Sequence, residues 1–485
     1  MFLYELLRGL KYELYKTDAD CEITEPFSDS RRTVPGGLFV CLQGTNTDGR
    51  LYIENAVENG AAAVVSDRAE RGVATVVVHD TRFALAVIWN NFYKRPAEGM
   101  RLFGITGTNG KTSTAAFLVS CLNAGGRRVG TVGTLGCFAC GERIMCEGSE
   151  KKDTGAAMTT PDPGELYRIL SVFRDRGITD VVMEVSSHAI VQRKVDALSF
   201  HVGIFTNLSP EHLDYHNNME EYFRAKASFI SRCAYRIVNE DDADCRRFLN
   251  KVPSVAVGRK NMSDAAVGTD GVRYTLSFDD KKLYLASKVG GVFTLYNTML
   301  ASVAALRAGV KEKAVEKGIA DVERVDGRLE RVVCAEEHGF DLIIDYAHTP
   351  AALEAVLLHL RKTGKGKLIC VFGCGGDRDK SKRPEMGLIA ERLSDGVVVT
   401  CDNPRTENPM DIIRDIIKGM TGENSVVIPD RREAIITAIS MTQKGDTVLL
   451  AGKGHERYEI RGENKSFFDE REVVKEALRL KTATD

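Results

Sequence analysis

"FGITGTNGKTST", residues 103–114, runs from an apolar segment through a glycine-rich turn into a helix pattern. Gly107 and Gly110 allow backbone amides to close around phosphate oxygens, with Thr108 and Asn109 between them. Lys111 is placed to reach terminal phosphates, and the Thr112 hydroxyl suits a magnesium ion. The fit to G-x-x-x-x-G-K-[ST] is incomplete, because Ile105 stands where the first glycine belongs and glycines stand at 104 and 107. The bland alternative is an ordinary strand-to-helix turn. G-x-x-G-K-T set between a strand and a helix favours a nucleotide.

A phosphate loop of this kind belongs to a parallel sheet, and the flanking sequence agrees. "TDVVMEV" (179–185) and "VGIFTN" (202–207) are buried-strand runs alternating with helix-length patterns. "VRYTLSF" (272–278) and "KLYLAS" (282–287) read as antiparallel β. From 340 onward, "FDLIIDY", "GKLICVFG", "DGVVVT" and "DTVLLAG" each precede a polar or glycine-rich loop and a helix pattern, which predicts a second doubly wound α/β unit. Upstream, "GGLFVCL", "AAAVVS" and "ATVVVH" are short strand candidates, and "RPAEG" (95–99) reads as a linker. The expected division is 1–96, 97–330 and 331–485. Length agrees, since 485 residues exceed what one core usually serves.

Hydrophobic content of 43% and charged content of 28% are those of a soluble globular protein. A formal net charge of -2 argues against a general nucleic-acid binder. No apolar run is long enough to span a membrane. "MFLYELLRGLKYELYK" carries Glu5, Arg8, Lys11 and Glu13, so it reads as an amphipathic helix and not a signal peptide. The 12 cysteines lack framework spacing, which suits a reducing cytoplasm. Cys137 and Cys140, with Cys146, make a weak metal pattern; free thiols on a hairpin are the preferred reading.

Further residues point to phosphate chemistry. Glu184 closes the strand at 179–185, where a second magnesium-directed carboxylate belongs; its alternative is a strand-end pair with a lysine. His212, Asp214 and His216 share one polar loop, and Lys226 lies on the helix pattern that follows. By residue type alone, the histidines are solvated loop residues and Lys226 is a surface lysine.

"GTNGKTST", "TTPDP", "EVSSHA", "NLSPEHLDYH", "YFRAK", "DGRLE", "DYAHTP", "GCGGDRDKSKRP", "DNPRTENP" and "GKGHE" occur in this order. Together they resemble the Mur ligases over nearly the whole chain, most closely the branch adding 2,6-diaminopimelate. The resemblance implies a three-domain α/β architecture: a UDP-substrate domain, a central P-loop parallel-sheet domain and a Rossmann-like C-terminal domain. It implies an ATP-dependent amide ligase of peptidoglycan precursor synthesis, monomeric and cytoplasmic, without nucleic-acid or membrane partners. Its substrates would be UDP-N-acetylmuramoyl-L-alanyl-D-glutamate, ATP and meso-2,6-diaminopimelate, and its cofactor Mg2+.

The resemblance also assigns residues. Lys111, Lys226 and His212 take catalytic roles. Thr112 and Glu184 would hold one magnesium and His212 a second, with Lys226 carbamylated to N6-carboxylysine. Asn297, Arg328, Asp345 and His348 join residues 107–112 on ATP; Thr294 stands where relatives often have Asn. Ser28, Ser30, Gln43, Thr159, Thr160, Ser186, His188, Gln192 and Lys194 would face the UDP-substrate. Relatives commonly carry Arg where Lys194 stands, which leaves open whether Arg193 or Lys194 meets it. Arg378, Asp402, Asn403, Pro404, Arg405, Gly452 and Glu456 would receive the amino acid. Diaminopimelate carries a second carboxylate that lysine lacks, and Arg–carboxylate pairing is directional, so Arg405 favours diaminopimelate. The alternative is that Arg405 caps a helix or pairs with Glu407. The rival functions are an L-lysine-adding ligase, a folylpolyglutamate-type ligase, a nucleotide switch and an inactive scaffold.

Overall fold

The computed structural model describes residues 1–44, 47–145 and 158–482. Three sheet-based bodies follow one another along the chain. The first sheet contains β1 (Tyr12–Tyr15), β2 (Pro26–Phe27), β3 (Leu38–Val40), β4 (Ala63–Ser66) and β5 (Thr75–Val78), in the order β1-β5-β4-β3-β2. All neighbours are parallel except β1, which runs antiparallel along β5. The expected N-terminal amphipathic helix is therefore wrong. A helix spans only Leu3–Leu6, Gly9 turns the chain at φ 91°, and Tyr12–Tyr15 joins the sheet edge. Edge pairing along the Val-rich β5 outweighs local helix periodicity.

The central sheet contains β6 (Arg101–Thr106), β7 (Val129–Gly133), β8 (Gly136–Ala139), β9 (Glu142–Arg143), β10 (Asp180–Glu184), β11 (Phe200–Phe205), β12 (Tyr235–Asn239) and β13 (Val255–Val257). Its order is β13-β12-β11-β6-β10-β7-β8-β9. Six strands are parallel, and β8 and β9 form an antiparallel edge. The parallel strands are covered on both faces, which explains their continuous apolar runs. Leu102 and Val181 enter one core, while Phe103, Ile105 and Val182 enter the other. Cys137 is buried on β8 and Cys140 is exposed at the hairpin turn; Cys146 lies outside the described residues. A meander of β14 (Met262–Val267), β15 (Val272–Phe278) and β16 (Lys281–Ser287) follows, antiparallel as the pattern indicated.

The last sheet contains β17 (Glu330–Arg331), β18 (Asp341–Asp345), β19 (Leu368–Phe372), β20 (Gly396–Val399), β21 (Ser425–Val427) and β22 (Thr447–Ala451), in the order β17-β18-β22-β19-β20-β21. Only β17 is antiparallel. A hairpin of β23 (Tyr458–Arg461) and β24 (Asn464–Phe467) stands beside it. The loops after β18, β19, β20 and β22 leave one edge of this sheet, where ligands of open α/β sheets collect. Among the described residues no helix is long and apolar enough to cross a membrane.

Two contacts fix how helices seat on these sheets. The only tryptophan, Trp89 in the helix Thr81–Phe92, packs against Gly164 at the start of the helix Pro163–Asp175, joining the first body to the central one. Gly318, in the helix Glu312–Asp321, lies so close to the helix Lys111–Ala124 that an added Cβ would sit 2.4 Å from the Cys121 Cα. Gly318→Ala should improve helix propensity by about 1 kcal/mol. The collision is with backbone, which cannot rotate away, so overpacking should win by about 1–3 kcal/mol. Urea unfolding should show a lower midpoint; a raised one would refute this account of the packing.

Candidate functional site

β6 delivers the chain to a loop at 107–110, and the helix Lys111–Ala124 carries it away. The loop is shaped from behind by residues that follow β11. The Thr206 hydroxyl donates to the Asn109 carbonyl at 2.7 Å, and the Asn207 amide group donates to the same oxygen at 3.0 Å. The Asn109 N–H donates to the Asn207 Oδ1 at 2.9 Å. Gly107 has φ 148°, and a Cβ there would lie 1.9 Å from the Thr206 hydroxyl. Gly110 has φ 83° and sits against Asn297, whose Oδ1 also accepts from the Thr114 hydroxyl at 3.2 Å.

Two lysines converge on this loop. Lys111 Nζ donates to the Gly107 carbonyl at 2.9 Å and to the Thr108 carbonyl at 2.7 Å. Lys226 Nζ, from the helix Met219–Ser231, donates to the same Gly107 oxygen at 2.8 Å. Lys226 is 1% exposed, so the bland surface reading is wrong. The helix places it inward, over the Tyr222 ring at 4.5 Å. Burial and the Lys111 charge hold its pKa well below the ordinary lysine value. Burial also lowers that of Lys111, against the opposing carboxylates of Glu211 and Glu184.

Glu184 ends β10 as a buried carboxylate without a lysine partner among the described residues. It accepts from the Thr112 hydroxyl at 2.9 Å, the Thr134 amide at 2.9 Å and the Thr134 hydroxyl at 3.0 Å. His212 has φ 57°, and its ring meets that of His188 edge-on at 4.7 Å. Burial and the neighbouring lysines bring its pKa down to about 4 despite Glu211, so the imidazole is neutral near pH 7. The Asp214 side chain lies outside the described residues. Among those described, no three His, Cys, Asp or Glu side chains form a metal cluster. A hydroxyl beside a carboxylate is a fragmentary oxygen set, which suits a magnesium ion that keeps waters and takes phosphate oxygens.

These groups line a cavity of about 550 Å³ whose far wall comes from Arg328, just before β17, and from Asp345, Tyr346 and His348 of the last body. Arg328 lies over the Tyr346 ring at 4.5 Å and 3.5 Å from the Thr112 hydroxyl. Asp345 is held by the backbone around it. Its two oxygens accept from the Leu329 and Ala347 amides at 2.7 and 2.8 Å, locking the turn that carries Arg328. His348 Nε2 lies 3.2 Å from Glu211 Oε1, joining the central body to the last one. Burial alone would raise the Glu211 pKa, but the His348 hydrogen bond and the nearby positive groups hold it well below the carboxylate range.

Thr159 and Ser186 also line the cavity, and the Thr160 hydroxyl donates to the Glu184 carbonyl at 2.8 Å. Lys194 is buried on Asp162 at 2.7 Å, and Arg193 pairs with Asp80 at 2.9 Å, so protein carboxylates hold both bases. Gln192 caps the helix Ser187–Val191. Ser28 and Gln43 are exposed and Ser30 is buried in the first body, away from the cavity wall.

At the edge of the last sheet, Asn403 donates to Glu456 Oε2 at 2.8 Å. Burial and Asp402 raise the Glu456 pKa. Pro404 is buried against Gly376, and the open face of Gly452 looks toward Asp402. Arg405 does not pair with Glu407, which Arg383 and Lys380 occupy at 2.8 and 3.1 Å. Its guanidinium donates instead to the Gly376 carbonyl at 2.7 Å, and among the described residues no carboxylate lies within ion-pairing distance of it. Arg378 is exposed on the neighbouring loop.

Known proteins share this fold. Family descriptions match three consecutive segments: "Mur ligase family, catalytic domain" at 23–93, "Mur ligase middle domain" at 105–305 and "Mur ligase, glutamate ligase domain" at 327–454. A UDP-N-acetylmuramoyl-L-alanyl-D-glutamate–2,6-diaminopimelate ligase from Syntrophomonas wolfei is 41% identical over 99% of this chain and all of its own. The chain belongs to the Mur ligase family. A solved structure of a ligase with the same description superposes with a TM-score of 0.68 at 27% identity, covering 99% of both chains. The Mur ligase MurF of Thermotoga maritima, solved with ADP, shares the fold at a TM-score of 0.60 and 18% identity, over 95% of this chain and 98% of its own.

Within this Mur ligase, three site residues escaped the motif reading. Thr134 orients Glu184 from a β7–β8 turn, Glu211 meets His348 across 137 positions, and Lys453 lies buried under Asn403. Only Glu211 and Lys453 lay inside quoted motifs, and neither pairing leaves a local pattern. Gly110→Ala should raise the Kd for ADP at least tenfold in calorimetry, because its Cβ meets Asn297 at 2.5 Å and the left-handed backbone becomes strained. A change within twofold would show that the loop does not cradle phosphates.

Proposed function

We propose that this chain is an ATP-dependent amide ligase. It adds meso-2,6-diaminopimelate to the D-glutamyl γ-carboxylate of UDP-N-acetylmuramoyl-L-alanyl-D-glutamate. In this reading, residues 1–96 hold the UDP end, 97–330 hold ATP and 331–485 hold the incoming amino acid. The observation that carries the specificity is Arg405, a guanidinium fixed by backbone oxygens without a carboxylate partner among the described residues, beside Asn403 and Glu456. A distal carboxylate would complete it, and the neighbouring Glu456 would receive the distal ammonium. Arg378 is the second cation, for the other carboxylate.

The chemistry follows from bringing two anions together. Lys111 and the amides of 107–112 neutralise and orient the triphosphate, so that the γ-phosphoryl group faces the glutamyl carboxylate. The carboxylate oxygen attacks phosphorus, ADP leaves, and an acyl phosphate forms. The amine of the amino acid then attacks the acyl carbon; the tetrahedral adduct loses phosphate and a proton to give the amide. Thr112 and Glu184 would hold one Mg2+ and His212 a second, ions that when bound screen the phosphate charge. Arg328 and His348 bring positive or donor groups from the opposite wall, so the productive site needs both bodies in contact. The 11 described cysteines are all free, which supports a reducing cytoplasm.

Lys226 has the chemistry for carbamylation. CO2 reacts with neutral amines, and this amine is buried beside a second lysine that disfavours its charge. Intact mass under gentle conditions should exceed the sequence mass by one CO2. Lys226→Ala should lose more than tenfold in kcat and recover in part with a short carboxylate. Full activity without rescue would remove Lys226 from the mechanism.

Phosphate release with ATP, the UDP-dipeptide and one amino acid at a time tests the whole reading. Meso-diaminopimelate should exceed L-lysine and L-ornithine by at least tenfold, since lysine leaves Arg405 unpaired at a cost of about 1–3 kcal/mol. Arg405→Lys, which loses the fork, should lower kcat/KM for diaminopimelate at least tenfold. Equal rates for the three amino acids would reject the specificity. Release independent of any amino acid would favour a nucleotide switch.

A further inference from the structure

Lys453 is 0% exposed; two of its polar neighbours, Asp402 and Asn403, belong to the amino-acid pocket, and a third, Tyr458, opens the β23–β24 hairpin. Nζ donates to Asn403 Oδ1 at 3.0 Å and to the Tyr458 carbonyl at 2.8 Å, and it lies 3.3 Å from Asp402 Oδ1. We propose that Lys453 is a specificity-positioning residue, which fixes the Asn403 amide and the β23–β24 hairpin and thereby aims Glu456 and Arg405 at the distal end of the amino acid. The proposal rests on the ligase reading above and deepens it.

The amide argument is one of donors and acceptors. The ammonium of Lys453 can only donate, and so can the Ile460 N–H, which reaches the same end of Asn403 at 3.1 Å. That end must therefore be the oxygen. The NH2 group is left facing Glu456 Oε2 at 2.8 Å, where it holds the carboxylate in place. Without the ammonium one of the two constraints is gone, and a flipped amide would set oxygen against oxygen at Glu456.

The hairpin argument concerns Arg405. Its backbone has φ 51°, an uncommon left-handed conformation for a side-chain-bearing residue. It is held there from both sides by the hairpin: the Arg405 N–H donates to the Ile460 carbonyl at 3.1 Å, and the Gly462 N–H donates to the Arg405 carbonyl at 2.7 Å. Lys453 anchors the first residue of that hairpin through the Tyr458 carbonyl. One buried cation thus joins the acidic and basic halves of the pocket, though it reaches no ligand itself.

The test compares wild type with Lys453→Met and Lys453→Gln, reading KM for each substrate and the ratio of kcat/KM for meso-diaminopimelate over L-lysine. Lys453→Met should raise the diaminopimelate KM at least tenfold and lower the ratio at least tenfold. The KM values for ATP and the UDP-dipeptide should stay within twofold. Lys453→Gln, which keeps one donor for Asn403, should fall between. An unchanged ratio, a parallel rise of all three KM values, or failure of both variants to fold would overturn the proposal and make Lys453 a general fold element. If wild type itself shows no release dependent on diaminopimelate, the ligase reading fails instead, a result separable from any variant.

Discussion

Two amines sharing one carbonyl oxygen set the terms for this molecule. Lys111 and Lys226 both donate to the Gly107 oxygen, which brings two amines to one point of the cavity wall. Loss of a proton from one lysine, or the arrival of an anion, eases their repulsion. Glu184 and Glu211 offset part of the repulsion. The fold holds the arrangement by brute packing. Phe229 on the Lys226 helix packs against Gly104 of β6, where the missing side chain lets the helix lie close to the strand. The neighbouring loop is pinned by Thr206 and Asn207 from the next strand. A site built under electrostatic tension is ready to receive the most highly charged part of a nucleotide.

The last sheet solves the reverse problem. Its edge pairs opposite charges on either side of Arg405. Arg383 and Lys380 hold Glu407 on one side, and Lys453 holds Asp402 on the other. Arg405 faces carbonyl oxygens between them, a setting that supports its orientation without neutralising it. Tyr346 links the two regions, since its ring carries Arg328 and its hydroxyl lies 3.5 Å from Glu456.

Much of this was legible from the chain. Runs such as 179–185 and 446–452 lie in strands covered on both faces, and continuous apolar sequence is what that environment demands. The phosphate loop could be read because its chemistry is local: glycines, a lysine and a threonine within six positions. Lys226 could be placed only by resemblance, because nothing in its own helix marks the face that turns inward. Residues 12–15 were misread because a strand edge tens of positions away decided their fate. The Glu211–His348 bridge and the donors around Asn403 join residues far apart in sequence, and periodicity carries no information about such pairs. The ordered motifs identified the family; the distances show that a wall residue such as Asp345 also holds others in place.

Trp89 has a use beyond packing. A chain of this length with a single indole has one intrinsic fluorophore of its kind, and here it stands where the first body meets the helix that follows the "TTPDP" segment. Excited to the red of tyrosine absorption, its emission reports polarity at that seam alone. Motion between the first two bodies is therefore optically visible without a label, while motion of the last body is not.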